Sequence, residues 1–400
     1  MKILHITDDA DSVGGVQTYL RDLCEILPEA GIDSEVWRPS QSGGVVADHL
    51  TRWAGRGYER ELRSRLERDR PAIVHAHNLW MRLSPMPLRA AKKAGIPVVM
   101  TVHDYNFVCP RKWMITADGR PCDSGFGGRC LVSNCRGSRE GWGWLPYNNL
   151  RWLKTALHRR MLRSWVDVFV CPSLHLGAWM RRSLGVERVH HVANFTRRPA
   201  GDPAPATDPH RLLFAGRLSR EKGVDVLLRA MPLLLEEHPR AYLTIAGDGP
   251  ERAALEQLAL TLGVKDAVQF IGPLATGELD EQYRQSGIFV LPTLWMENCP
   301  VAVLEALANG RAVVATRIGG VPELVEDGMT GLLVQRGDHH DLARRLSSLV
   351  GNPARVEEMG RRASAAFNEA YTVEGHVDRL LAIYGTAAAG DDPASCSAAQ

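Results

Sequence analysis

The run Glu297-Asn-Cys-Pro-Val-Ala-Val-Leu-Glu305 sets two carboxylates eight positions apart, with a proline between them. Pro300 suits the first turn of a helix, which places Glu297 in the loop ahead of it and Glu305 about a turn and a half inside. Amides left open at such a helix start, from Asn298 and Cys299 onward, suit hydroxyl or phosphate oxygens. A carboxylate within the helix can clamp a vicinal diol, as a ribose presents. The same residues also read as a capped helix with two solvated acids. A second stretch, Ala215-Gly-Arg-Leu-Ser-Arg-Glu-Lys-Gly223, delivers Arg217 and Lys222 to one loop, as a leaving diphosphate requires. A departing diphosphate needs its charge neutralised by a metal or by fixed cations. These two cations supply the second solution, so no catalytic cofactor is expected.

Weaker signals point the same way. Gly14 and Gly15, in Asp11-Ser-Val-Gly-Gly-Val-Gln-Thr18, let a backbone approach a ligand at a helix start but lack the three-glycine dinucleotide fingerprint. His103, in Thr101-Val-His-Asp104, stands where a strand should end, and His77 stands at another strand end, as an acceptor-side or a packing residue. Gly247 and Gly249 permit close backbone approach after a strand. Phe270 and Ile271 stand at the end of another strand, as ligand contacts or plain core.

The elements that must hold these residues alternate short Val/Ile-rich runs with amphipathic stretches, the pattern of βαβ units and parallel sheets. Strands are expected at 2–7, 34–37, 72–76, 97–102, 168–171 and 189–192 in the first half. In the second they fall at 211–215, 241–246, 268–271, 288–291, 312–315 and 331–334. Helices between them include 16–27, 58–69 and 84–94, then 224–237, 251–262, 276–286, 301–309 and 339–349. Four prolines between Arg198 and Pro209 mark a linker. The expected division is an N-terminal Rossmann-like domain over 1–197 and a C-terminal Rossmann-like domain over 210–370. A helix and a disordered tail over 371–400 complete it.

On these motifs the chain resembles the family-4 retaining glycosyltransferases over nearly its whole length. Their signature of a Glu, seven residues and a Glu, followed by Ala, is matched from Glu297 through Ala306. The resemblance implies an α/β protein of the GT-B fold, two Rossmann-like parallel-sheet lobes facing across a cleft, the first acceptor-side and the second nucleotide-sugar-binding. It implies a nucleotide diphosphosugar donor (a UDP-sugar or GDP-mannose) and transfer with retention to a hydroxyl or amine acceptor. Glu297 and His103 would then serve the transferred sugar. Glu305 would serve the ribose, and Arg217, Lys222, Gly14 and Gly15 the diphosphate. The amides of Asn298 and Cys299 would meet sugar hydroxyls, and the loops with Gly247, Phe270 and Ile271 would surround the base. Asn298-Cys299 departs from the small or aromatic pairs of many members, which leaves the donor hexose open. A nucleotide-sugar 2-epimerase and a non-catalytic nucleotide-sugar-binding subunit are the competing readings.

Composition bounds the rest. The chain has 400 residues, 45% hydrophobic and 24% charged, with a net charge of +2, so bulk charge does not argue for nucleic acid. The opening Met-Lys-Ile-Leu-His-Ile-Thr reads as a buried strand rather than a signal peptide, and no run reaches the roughly 18 apolar residues of a span. A cytoplasmic location is expected. Between Leu150 and Trp165 basic residues interleave with Leu and Trp, which suits either a packed helix or peripheral contact with an anionic membrane carrying a lipid-linked acceptor. Cys109, Cys122, Cys130 and Cys135 lie in an aperiodic insertion over 106–144. They are expected to form a structural zinc site, with free thiols, one disulfide or an iron–sulfur cluster as the alternatives.

Overall fold

The computed structural model describes residues 1–7, 15–38, 56–80, 83–116, 119–133, 135, 144–199, 201, 203 and 205–390. Two compact units form: Met1–Ala193 with His376–Gln400, and Asn194–Gly375.

The first unit is built on six parallel strands: β1 (Lys2–Thr7), β2 (Asp33–Trp37), β3 (Ile73–His77), β4 (Val98–Thr101), β5 (Val168–Cys171) and β6 (Val189–His191), in the order β2-β1-β3-β4-β5-β6. β3, β4 and β5 are buried at every position, as strands covered on both faces must be. The register sets His5 beside His75 and His77 beside Thr101. The helix expected over 84–94 begins only at Leu88. Pro85 and Pro87 cannot donate to a helical ladder, and the chain enters by a turn from Leu88 N–H to the Pro85 carbonyl.

The second unit repeats the plan with β7 (Asp208–Ala215), β8 (Tyr242–Ala246), β9 (Val268–Gly272), β10 (Ser286–Leu291), β11 (Ala312–Thr316) and β12 (Gly331–Val334). Their order is β12-β11-β10-β7-β8-β9, again parallel. Leu212, Phe214, Ile245, Ile288 and Val314 centre its core beneath the helices Val224–Glu237 and His339–Val350. β7 begins inside the proline-rich stretch, where Asp208 pairs with Ser286. Pro203, Pro205 and Pro209 line a cavity of about 450 Å³ with Gly287 and Gly310, at the amino ends of the strands. Strand order reverses between β7 and β10, and between β1 and β3 in the first unit. Open parallel sheets bind ligands at the carboxyl ends beside such a reversal.

The helix Val373–Ala389 is counted with the first unit from His376 onward. No helix among the described residues is long and apolar enough to cross a membrane.

Candidate active site

Beside the reversal in the second sheet, four strand-end loops are bonded to one another. The loop after β7 turns at Gly223, whose φ of +68° is open to glycine and where a Cβ would lie 2.1 Å from the Pro292 carbonyl oxygen. That closeness lets Leu294 N–H donate to the Glu221 carbonyl at 2.8 Å, joining the β7 loop to the β10 loop. Leu218 N–H donates to the Asp248 carbonyl at 2.9 Å, joining β7 to β8. On the other side Gly320 N–H donates to the Glu297 carbonyl at 2.9 Å.

This framework places Glu297 in the loop before the helix Val301–Ala308, which Pro300 caps. Glu297 is buried, 6% exposed. Three donors converge on its Oε1: Lys222 Nζ at 2.7 Å, Trp295 Nε1 at 2.7 Å and Thr293 Oγ1 at 3.1 Å. Lys222 Nζ also stands 5.4 Å from the centre of the Trp295 ring. Arg217 is exposed at the mouth of the β7 loop. Glu305, the fifth residue of its helix, accepts a hydrogen bond from Tyr283 Oη at 3.1 Å. Burial, with Glu305 adding to it, holds the Tyr283 hydroxyl well above its ordinary range, so it stays a donor.

Asn298 and Cys299 are buried beside Glu297. The Cys299 carbonyl accepts from Asn194 Nδ2 at 2.9 Å, and burial pushes its thiol up to about 12, which leaves it no nucleophile. Gly247 has a φ of +136°, and a Cβ there would sit 1.9 Å from the Gly216 carbonyl oxygen. Loop packing alone therefore requires that glycine. Phe270 packs half-buried against the core from the edge strand β9, and Ile271 is half-buried next to it.

In the first unit His103 follows β4 and heads a chain of imidazoles. Its Nε2 is 3.1 Å from His77 Nδ1, and His77 Nε2 is 3.1 Å from His5 Nδ1. Burial lowers His103 and His5 to about 3 and holds His77 well below its ordinary value, so all three are neutral. A neutral imidazole carries one N–H, which forces donors to run one way along the chain. His5 Nε2 is buried without a hydrogen-bond partner. A bare lone pair is tolerated there more readily than a bare N–H. His5 and His77 therefore donate from Nδ1, and His103 accepts at Nε2 and keeps its proton on Nδ1. Asp104 turns away, accepting from the Asn106 backbone N–H at 2.9 Å and side-chain amide at 2.7 Å. Gly15 opens the helix Gly15–Ile26 with nothing within 4 Å of a Cβ, while Gly14 lies outside the described residues. Outside them too is Asp9-Ala-Asp11, an Asp-x-Asp pair that follows β1 in the sequence and bears on the expectation of metal-free catalysis.

Glycosyl transferases group 1 matches residues 200–366, and a Glycosyl transferase 4-like domain matches residues 14–195. The chain belongs to the family-4-type glycosyltransferases. It is 38% identical over 195 residues to a D-inositol 3-phosphate glycosyltransferase of Streptomyces avermitilis, which covers 44% of this chain and 41% of that relative. A glycogen synthase of Mycobacterium tuberculosis is 29% identical over 74% of this chain and 64% of its own length. The chain spans about half the length or less of the inositol-phosphate relatives it matches, between 41% and 50% for the first two. Among solved structures, the sucrose-phosphate synthase of Thermosynechococcus elongatus superposes with a TM-score of 0.73 over 98% of this chain and 100% of its own, at 17% identity. HepE of Anabaena, solved in complex with UDP-glucose, gives 0.68 over 96% and 100%, at 17% identity. These likenesses make the fold GT-B.

The sequence motifs pointed to Glu297, Glu305, Arg217 and Lys222 but not to the groups that hold them. Thr293, Trp295 and Tyr283 carried no signal beyond nearness in sequence to a motif or strand. Gly319 is required by its φ of +59° and by a Cβ position 2.0 Å from the Glu297 carbonyl oxygen. His5 and His75 had one legible sign, a histidine set between apolar residues inside each of two short strands.

Proposed function

We propose that this chain is a retaining glycosyltransferase that moves a sugar from a nucleotide diphosphosugar to an acceptor hydroxyl. The observation that carries the reading is the 2.7 Å pair between Lys222 and Glu297, which joins two motifs 75 residues apart at the strand ends. In this reading Arg217 and Lys222 take the donor diphosphate, and Glu305 takes the ribose. Glu297, with the amides that follow it, takes the sugar hydroxyls. The C1–oxygen bond to the diphosphate breaks as the acceptor oxygen bonds to C1 on the same face. The acceptor proton passes to the departing phosphate oxygen. His103, a neutral donor at Nδ1, serves a sugar hydroxyl.

The UDP-glucose complex of the Anabaena protein supports a UDP-sugar as the first donor to test. A lipid-linked acceptor at a membrane surface is favoured by one feature. Leu150, Leu153 and Leu157, 51%, 53% and 38% exposed, form a stripe along the helix Trp144–Trp165, with Arg160 and Arg163 exposed further along it. Vesicles containing anionic lipid should sediment the protein, and Leu153→Asp should abolish that.

The test of the activity is a panel of nucleotide diphosphosugars scored for transfer and hydrolysis. Arg217→Ala and Lys222→Ala should each lower kcat/KM at least about tenfold, since a charged hydrogen bond is worth about 1.5–3 kcal/mol. Product NMR should show the donor's anomeric configuration, and inversion would remove the reading. Turnover should persist in EDTA. Loss restored by Mg²⁺ or Mn²⁺ would instead assign a catalytic metal, with Asp9 and Asp11 as first candidates for its ligands.

A further inference from the structure

Cys109, Cys122, Cys130 and Cys135 come from four separate pieces of local structure. Cys109 closes a turn, its N–H donating to the Tyr105 carbonyl at 2.7 Å. Cys122 follows a short antiparallel bridge between Ile115 and Pro121. Cys130 lies in the helix Arg129–Val132, and Cys135 just beyond it. The helix Trp144–Trp165 pins these pieces: Arg151 Nε donates to the Pro110 carbonyl at 2.7 Å, and Trp152 Nε1 to the Gly127 carbonyl at 3.0 Å. Gathered so, the four cysteines line one cavity of about 20 Å³. A space of that size holds roughly one water-sized body, an ion rather than an organic ligand.

None of the four is in a disulfide. The Cys130 thiol donates to the Gly125 carbonyl at 3.5 Å. Arg111, 7% exposed, and Arg151 line the same cavity. Four thiolates on a dication carry a net charge of −2, which those two arginines balance.

We infer that Cys109, Cys122, Cys130 and Cys135 bind one zinc ion as a tetrahedral structural site. Each thiol gives up its proton, so Zn²⁺ replaces four protons. At a Zn–S distance of about 2.3 Å, tetrahedral sulfurs stand about 3.8 Å apart. No three of the four sulfurs lie within 4.8 Å of one another in this structure, so binding draws the ring inward. Gly127 and Gly128, with nothing near their Cβ positions, leave room for that. Among the described residues, His5, His75 and His77 offer ligand atoms that lie within 4.8 Å of one another. Five of their six nitrogens are spent on one another, His103, Thr101 and Tyr384, so that group is a hydrogen-bond chain. The zinc instead fixes the segment that leaves His103.

The full chain, purified without a histidine tag, should contain about one zinc by elemental analysis. X-ray absorption at the zinc edge should show sulfur neighbours only. Cys122→Ser and Cys130→Ser should each cut zinc content at least fivefold and lower Tm, while Cys24→Ser, outside the ring, should leave both unchanged. Should the serine variants fail to fold, zinc added back to chelator-stripped wild type should raise Tm and release protons into a weak buffer. Folded protein free of zinc that ignores added Zn²⁺, an iron–sulfur chromophore, or zinc retained in both variants would each overturn the assignment.

Discussion

Glu297 gathers an ammonium, an indole N–H and a hydroxyl on a single oxygen. Such bonds to a buried charge are worth about 1.5–3 kcal/mol each, and they fix where the carboxylate points. Trp295→Phe keeps the ring over Lys222 and removes only the 2.7 Å bond. It should depress kcat about tenfold while changing nucleoside diphosphate affinity less than about threefold. Unchanged kcat would mean that Trp295 only packs. Glu305 is held from the opposite direction, through Tyr283. Glu305→Gln should weaken nucleoside diphosphate binding about tenfold by calorimetry, and Tyr283→Phe by less, because the carboxylate keeps its charge when its orienting donor is gone.

Among the elements, the strand-end loops divide their glycines into two kinds. Gly319 and Gly247 meet neighbouring carbonyls and sit at positive φ, so a Cβ there combines backbone strain of about 1–3 kcal/mol with a clash. Gly319→Ala should lower Tm by more than about 5 °C and impair turnover with it. Gly15 faces open space at an ordinary φ, where alanine in a helix is neutral or stabilising by about 0.5–1 kcal/mol. Gly15→Ala should therefore leave Tm unchanged or higher. If the helix start approaches a ligand, as the family resemblance implies, kcat/KM should still fall. Full activity in Gly15→Ala would make that glycine a plain turn residue.

At the scale of the whole molecule, the last helix completes the first unit's histidine core. His376 Nδ1–H donates to the Ala193 carbonyl at 2.7 Å, which leaves its Nε2 to accept from Tyr19 Oη at 2.9 Å. Tyr384 Oη lies 2.6 Å from His75 Nδ1. Burial holds His376 at about 4, His5 and His103 at about 3, and His75 and His77 well below their ordinary value. The unfolded chain takes up protons near pH 6.5 while the folded unit does not, so stability is full above that pH and falls below it. Each histidine contributes a slope of about 1.4 kcal/mol per pH unit. Urea unfolding at pH 7.5, 6.5 and 5.5 should show a loss of several kcal/mol at the acid end. His376→Gln should flatten the slope by about one proton. A flat wild-type profile would contradict the neutral chain.

Local chemistry was enough to place much of this. Periodicity of apolar residues gave both parallel sheets, and Pro300 between Glu297 and Glu305 put one acid in a loop and the other in a helix. Arg217 and Lys222 were legible as a paired cation loop for the same reason: turn residues and charge lie within one short stretch of chain. The helix over 84–94 was read too long because apolar spacing outweighed the missing amides of Pro85 and Pro87. What no local pattern encodes is the meeting of distant side chains. Lys222 reaches Glu297 across 75 residues, His75 reaches Tyr384 across 309, and Tyr19 reaches His376 across 357. Strand order and register decide those meetings, together with the path of the final helix. Composition and spacing are the same whichever helix packs where, so the partners of Glu297, the proton positions along the histidines and the gathering of four scattered cysteines belong to the tertiary structure alone.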